Sequence, residues 1–217
     1  MSLARAACFL SVAAGAACFF SPARAVAQDA RAEIGAYGGY TVGGSVEGES
    51  ELLRSEADIE SAPSYGAFFD FAVRRGAFAE LSYSRQDTEL SVRISDGTQT
   101  RYDLLVQTAQ IGGLLEFRVP RAEWFRPVFG GTIGATIFAA DDAGIDYEEW
   151  RLSLIFETGA KLQLVRNLGI RLRARLLTTF LADDSAMFCA TGAGCAFAYS
   201  GVPIFQGEFG AGAYLAF

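Results

Sequence analysis

Three arginines spaced by two residues carry the most distinctive chemistry in this sequence. Arg171, Arg173 and Arg175 alternate with apolar residues in the segment Leu168–Leu176. Residues two apart lie on one face of a β-strand, so the segment predicts a strand with a column of guanidinium groups on one side. Such a column can bind anions or form ion pairs with carboxylates.

Acidic residues at matching strand positions favour ion pairing. With the strands assigned as below, the predicted inward acids are Glu33, Asp70, Glu80, Glu116, Glu157 and Glu208. The predicted inward bases are Arg118, Arg126, Arg151, Lys161, Arg171, Arg173 and Arg175. Because buried charges need partners, we expect a structural polar core in which they neutralise one another. A selective pore or a binding site is the alternative.

The composition limits enzymatic chemistry, since the chain contains no histidine. A Ser–His or Asp–His arrangement therefore cannot be built. No carboxylate pair stands apart from the predicted inward set, which argues against a carboxylate-only hydrolase. The G-x-x-x-x-G-K-[ST] phosphate-binding loop is also missing. We predict that the protein is not an enzyme and uses no cofactor and no metal.

Eight segments alternate with the period of two that predicts β-strands. They are roughly 33–42, 65–73, 77–94, 101–119, 125–137, 150–164, 168–176 and 208–217. The connections after the second, fourth and sixth segments are short, while those after the first, fifth and seventh are long, as in membrane barrels with short periplasmic turns and long external loops. The pattern predicts an all-β fold, a closed antiparallel transmembrane β-barrel with eight strands in an up-and-down meander. An even strand number places both termini on the periplasmic rim.

The apolar alternation changes phase in the third and fourth segments. Beyond Gln86 the apolar positions become Leu90, Val92 and Ile94. Such a change indicates either a β-bulge or a hairpin that leaves the membrane and buries its other face. We expect the second.

The connections contain two further features. Segment 43–62 carries six acidic residues and one basic residue, Arg54. Such a charge run is usually a solvated face, although this one could hold Ca²⁺ or Mg²⁺ or contact a basic partner. Its apolar residues Leu52, Leu53 and Ile59 could form a short helix. Cys189 and Cys195 flank a glycine-rich turn and predict one local disulfide, because two thiols without histidine make only half a metal site.

The N-terminal segment predicts export. Residues 1–27 combine Arg5, a short apolar run and the sequence Ala25-Val26-Ala27, which together are typical of a cleaved Sec signal peptide. The barrel domain is then 28–217. The whole chain has a net charge of −7, and loss of two arginines with the signal makes it −9, which argues against a nucleic-acid partner.

The chain resembles the small outer-membrane β-barrel families of the OmpA transmembrane domain, OmpX and OmpW types. The resemblance depends on the eight alternating segments, on Gly35-Ala36-Tyr37-Gly38-Gly39-Tyr40 and on the alternating final segment that ends at Phe217. It implies a bacterial outer-membrane location, contact with outer-membrane lipid and lipopolysaccharide, and assembly by periplasmic chaperones and the barrel-assembly machinery, with Phe217 as the assembly signal. Family members are envelope-stabilising proteins, adhesins or narrow channels.

Three functions are consistent with the sequence. The first is a non-enzymatic structural or surface-interaction barrel with a filled lumen, whose loops could bind an extracellular ligand. The second is a narrow passive channel for small or hydrophobic solutes. The third, a soluble lipocalin-like carrier, fits poorly because it needs an apolar interior, whereas the predicted inward set is charged.

Overall fold

The computed structural model describes residues 32–50, 53–94, 99–142, 145–180, 186–190, 194–198 and 203–217. The regular structure in these ranges is β-strand. None of the described residues belongs to a helix long and apolar enough to cross a membrane. The predicted signal peptide at 1–27 lies outside these ranges and stays a prediction.

Twelve strands follow one another along the chain. They are β1 (Ala32–Val42), β2 (Ser45–Ser50), β3 (Leu53–Ile59), β4 (Ala62–Arg74), β5 (Ala77–Ile94), β6 (Gln99–Glu116), β7 (Phe125–Asp142), β8 (Ile145–Val165), β9 (Leu168–Thr179), β10 (Ala186–Ala190), β11 (Gly194–Ala198) and β12 (Ile204–Ala216).

Eight of these strands form a closed antiparallel barrel. In the order β1, β4, β5, β6, β7, β8, β9 and β12, each strand is hydrogen-bonded to the next, and β12 closes the ring by pairing with β1. The closure continues to the described ends, where the backbone of Ala32 and that of Phe217 exchange two hydrogen bonds of 2.9 Å. The predicted eight-stranded meander is confirmed, with Ala32 and Phe217 on one rim.

The barrel has two different ends. The turn end carries the short connections 75–76, 117–124 and 166–167 together with Ala32 and Phe217. The loop end carries β2 and β3, which form a hairpin, and the separate hairpin of β10 and β11.

Part of the predicted loop structure is strand instead. The expected short helix around Leu53 and Ile59 is wrong, because both residues lie in β3, which pairs with β5 over Ser55–Ile59. This pairing satisfies backbone groups of β5 beyond the end of β4, which a helix could not do. β7 and β8 likewise continue as a paired hairpin to Asp142 and Ile145.

The outer face of the barrel is apolar at mid-height. Exposed side chains there include Ile34, Phe69, Leu81, Ile111, Phe129, Ile133, Phe156, Leu172 and Phe209. Exposed Tyr40, Tyr65 and Tyr83 lie towards the loop end, and exposed Phe117 and Trp124 lie at the turn end. An apolar band bordered by aromatic residues is the lipid-facing surface of a membrane barrel.

The change of phase in β5 and β6 has a simple structural cause. The pairing of β5 with β6 runs from Ala77–Leu115 to Arg93–Gln99 without a register shift, so there is no bulge between them. The inward positions simply change from polar residues such as Ser84 to the buried Leu90 and Val92. The expected burial of the other face is therefore observed.

Candidate functional site: the charged lumen

The charged side chains inside the barrel form one connected group between opposite walls. We call this group the charged cluster, and it consists of Glu33, Asp70, Glu80, Glu116, Glu157, Lys161, Arg171, Arg173, Arg175 and Glu208. Each member is at most 8% exposed. β8 and β9 supply the cations, since their alternating leucines occupy the lipid-facing positions and leave the basic residues inside.

Lys161 holds the part of the charged cluster nearest the turn end. Its Nζ lies 2.5 Å from Glu33 Oε2 and 3.2 Å from Asp70 Oδ2. A third carboxylate oxygen, Glu116 Oε2, is 3.7 Å away. Arg126 Nη1 donates to Glu116 Oε1 at 3.1 Å and so extends the network to the turn end.

Arg171 lies at the centre of the charged cluster and is fully buried. Its Nη1 donates to Asp70 Oδ2 at 3.1 Å. Its Nη2 donates to Glu80 Oε2 and to Glu157 Oε1, both at 2.5 Å. One guanidinium group thereby links β9 to β4 and β5 across the lumen and to its neighbour β8.

Arg173 and Arg175 continue the network towards the loop end. Arg173 Nη2 donates to Glu157 Oε2 at 2.5 Å and to Glu80 Oε1 at 3.3 Å. Arg175 Nη1 donates to Glu208 Oε1 at 3.0 Å. The column predicted from the spacing thus pairs with carboxylates along its whole length.

The structure places the ten residues of the charged cluster together, but two of the other expected bases lie elsewhere. Arg126 joins through Glu116. Arg151 instead pairs with Glu149 on its own strand. Arg118 is exposed, because β6 ends at Glu116 and Arg118 lies in the following turn-end connection.

Aromatic rings that the sequence reasoning missed complete the cluster. Arg171 lies 4.5 Å from the centroid of the Phe68 ring, and Arg173 lies 4.2 Å from that of Tyr37. Lys161 Nζ is 4.3 Å from the centroid of Phe78. These are cation–π distances. The sequence signal for them is that Phe68 and Phe78 each break the polar alternation of the inward face of their strand.

Inward glycines make room for these rings. A Cβ at Gly66 would approach the Tyr37 ring to 2.7 Å, and one at Gly35 would approach the Phe68 ring to 2.4 Å. Both distances are too short for real atoms, so a side chain at either position would displace an aromatic ring that packs against the arginines. These glycines therefore leave the space that the packed aromatic rings need.

A small polar chamber lies beyond the charged cluster. It has a volume of about 20 Å³ and is lined by Ser64, Gln86 and Gln206, among others, together with Arg175 and Glu208 of the cluster. This is room for about one water molecule. Ser64 Oγ and Gln206 Oε1 are buried there without a hydrogen-bond partner in the described part of the protein, as is typical of groups that bind an internal water.

An apolar layer covers the chamber on the loop-end side. It consists of the buried residues Ala57, Ile59, Leu90, Val92, Leu104, Val106, Phe138 and Ile204. We call this set the apolar layer. Its members come from β3, β5, β6, β7 and β12, so the β2–β3 hairpin contributes directly to the closure of the lumen.

The outer face of the loop end carries a wide acidic groove of about 990 Å³. Its exposed carboxylates are Glu60, Asp87, Glu89, Asp103 and Glu148, beside Arg101. Hydrogen bonds from Arg85 hold the pKa of Asp87 below its usual value. Among the described residues, no group of three or more His, Cys, Asp or Glu is arranged to hold a metal ion.

Two predictions about individual residues stay open. The backbones of Cys189 and Cys195 are directly opposite each other in the β10–β11 pair, but their side chains lie outside the described part, so the disulfide stays a prediction. Phe217 is exposed on the turn-end rim, and its role in assembly is not tested by the structure.

Comparison with known proteins shows the fold. The structure is similar to the crystal structure of Neisserial surface protein A (TM-score 0.55, 12% identity, covering 85% of this chain and 96% of that one). It is also similar to outer membrane protein OprG from Pseudomonas aeruginosa (TM-score 0.56, 10% identity, 87% and 96% covered) and to outer membrane protein AlkL (TM-score 0.51, 12% identity, 91% and 95% covered). No protein-family model and no curated protein sequence matches the chain. The chain therefore shares the fold of small outer-membrane barrels.

Proposed function

We propose that this protein is a non-enzymatic outer-membrane barrel that stabilises the envelope and presents its loop-end hairpins at the cell surface. The observation that carries the proposal is the filled lumen. The charged cluster connects opposite walls of the barrel, and the apolar layer covers it towards the loop end. An eight-stranded barrel has an interior that side chains can fill.

A narrow channel has less support from the same geometry. An ion entering from the loop end would meet eight buried apolar side chains, and leaving water for such surroundings without compensating partners is very costly. Further inside, the cations and carboxylates of the charged cluster are already paired with one another. Conduction would need both layers to rearrange.

The proposed location is supported by the apolar outer band and by the shared fold. We place the turn end in the periplasm and the loop end outside, which follows the usual distribution of short turns and long hairpins in such barrels. Lipopolysaccharide would then surround the loop end. Export by Sec, assembly through Phe217 and surface contact with a ligand are parts of the same proposal.

Cysteine labelling in intact cells tests the location and the orientation. We expect a membrane-impermeant maleimide to label Asp103→Cys at the loop end and to leave Arg75→Cys at the turn end unlabelled until the cells are lysed. Both positions are exposed in the structure, so failure to label reflects the membrane and not burial. The parent chain, with its native cysteines, is the control.

Three results would contradict the proposal. Labelling of Arg75→Cys but not Asp103→Cys in intact cells would reverse the orientation. Recovery of the protein in a soluble fraction would exclude a membrane barrel. A hydrolase or transferase activity of the purified, folded protein would remove the non-enzymatic assignment.

A further inference from the structure

Exposed arginines are concentrated at the turn end of the barrel. All three short connections or their borders carry them: Arg74, Arg75, Arg118, Arg121 and Arg166. We call this set the arginine rim. The same connections contain one acidic residue, Glu123. The rim is therefore strongly basic in a chain whose net charge is −7.

Among the described residues, the arginine rim has no carboxylate partner, unlike the arginines of the charged cluster. Within the described residues, no ion pair joins any of its five members to an acid, whereas Arg85 at the loop end pairs with Asp87 at 2.7 Å and Arg101 with Glu89 at 3.7 Å. The described arginines of the lumen are paired as well. Five guanidinium groups at one end thus have donors left for a partner outside the chain.

The position of the rim indicates what that partner is. Val73, Phe117 and Val165 each immediately precede an arginine of the rim and are 67%, 53% and 60% exposed. These residues belong to the apolar outer band, so the rim lies where the band ends. In a bilayer this is the level of the headgroups, and an arginine there can keep its stem against apolar surface while its guanidinium reaches a phosphate.

The opposite end of the barrel has the opposite charge. The acidic groove on the outer face of the loop end carries five exposed carboxylates against Arg101. The two ends would therefore attract different surroundings in the same membrane. Guanidinium groups form bidentate hydrogen bonds with phosphate, and basic residues at a membrane surface are attracted to anionic lipids.

We propose that the arginine rim is a docking surface for the headgroups of anionic phospholipids in the adjoining leaflet. The inference depends on the proposed membrane placement, since it needs the rim to lie at headgroup level. It goes further by naming the lipid class that the turn end selects. This selection fixes the depth and tilt of the barrel relative to the bilayer.

Lipid selectivity measured by electron spin resonance tests the proposal. The full protein is refolded into phosphatidylcholine vesicles, and the association of spin-labelled phosphatidylglycerol is compared with that of spin-labelled phosphatidylcholine. We expect the selectivity ratio of the parent to be at least about twofold that of a variant with all five rim arginines changed to glutamine. The excess should disappear at about 1 M salt, because salt screens exposed charges.

Control variants separate the outcomes. Arg85→Gln/Arg101→Gln removes two cations at the loop end and should not lower the selectivity. Equal selectivity of the parent and the five-glutamine variant, both folded by heat-modifiable gel mobility, would overturn the proposal. Loss of selectivity on adding inorganic phosphate at constant ionic strength would identify a site for soluble phosphate and overturn the lipid assignment. Failure of the parent to insert into vesicles would instead count against the proposed membrane function.

Discussion

At the level of single residues, Arg171 is a charged side chain that is buried away from water and surrounded by partners. Its guanidinium donates hydrogen bonds to three carboxylates from three strands and stacks near Phe68. Removing a buried ion from water is costly, and the partners compensate only when all of them are present. Loss of the Arg171 guanidinium would therefore leave three buried carboxylates without this partner.

We predict that Arg171→Met lowers the free energy of unfolding by about 3–5 kcal/mol. The matched control is Arg85→Met, since Arg85 pairs with exposed Asp87 on the outer face, and exposed pairs contribute about 1 kcal/mol or less. Urea-dependent unfolding in lipid vesicles measures both variants. Equal and small changes in the free energy of unfolding would show that the charged cluster does not stabilise the barrel.

The members of the charged cluster could be predicted from the sequence, but their aromatic partners could not. Arg173 and Glu157 lie at inward positions that the alternation alone specifies. Which inward residues meet across the lumen depends on the stagger of the closed barrel, which no single strand encodes. Tyr37 and Phe68 were therefore missed, although each packs against an arginine.

Among the secondary-structure elements, the barrel strands can be predicted from the sequence more readily than the loop-end hairpins. The membrane part has lipid on one face and polar side chains on the other, so it alternates clearly. The β2–β3 hairpin lacks such a contrast over Ser45–Ser50, where acidic, small and polar residues follow one another. Its structure depends on backbone pairing of β2 with β3 and of β3 with β5, and side-chain pattern does not reveal such pairing.

The apolar layer should make the loop end a stable part of the fold. We predict that amides of Ala57–Ile59 and Leu90–Val92 exchange slowly with deuterium, because they are paired in the sheet and their apolar side chains are buried. Ile59→Asp should accelerate this exchange at least about tenfold by placing a charge in the apolar layer.

The neighbouring change Glu60→Gln is the control, since Glu60 is exposed. It should leave exchange in both segments unchanged, and neither variant should alter exchange in β9. Hydrogen-exchange mass spectrometry resolves these segments. Fast exchange of β3 and the loop-end part of β5 in the parent would contradict a closed apolar layer.

At the scale of the whole molecule, the barrel is layered along its axis. The charged cluster with its aromatic rings lies nearer the turn end, a small polar chamber follows, and the apolar layer closes the loop end. Outside, an apolar band separates a basic turn end from an acidic loop end. This arrangement supports the proposed structural role over the proposed alternative of a channel.

Single-channel recording of the refolded protein in a planar bilayer tests whether the lumen is closed. Folding is confirmed by heat-modifiable gel mobility, and a porin reconstituted in the same way is the positive control. We predict a silent bilayer for the parent. Discrete openings of the folded protein that change in Arg173→Ala would contradict a closed lumen, because they would show an ion path through the charged cluster.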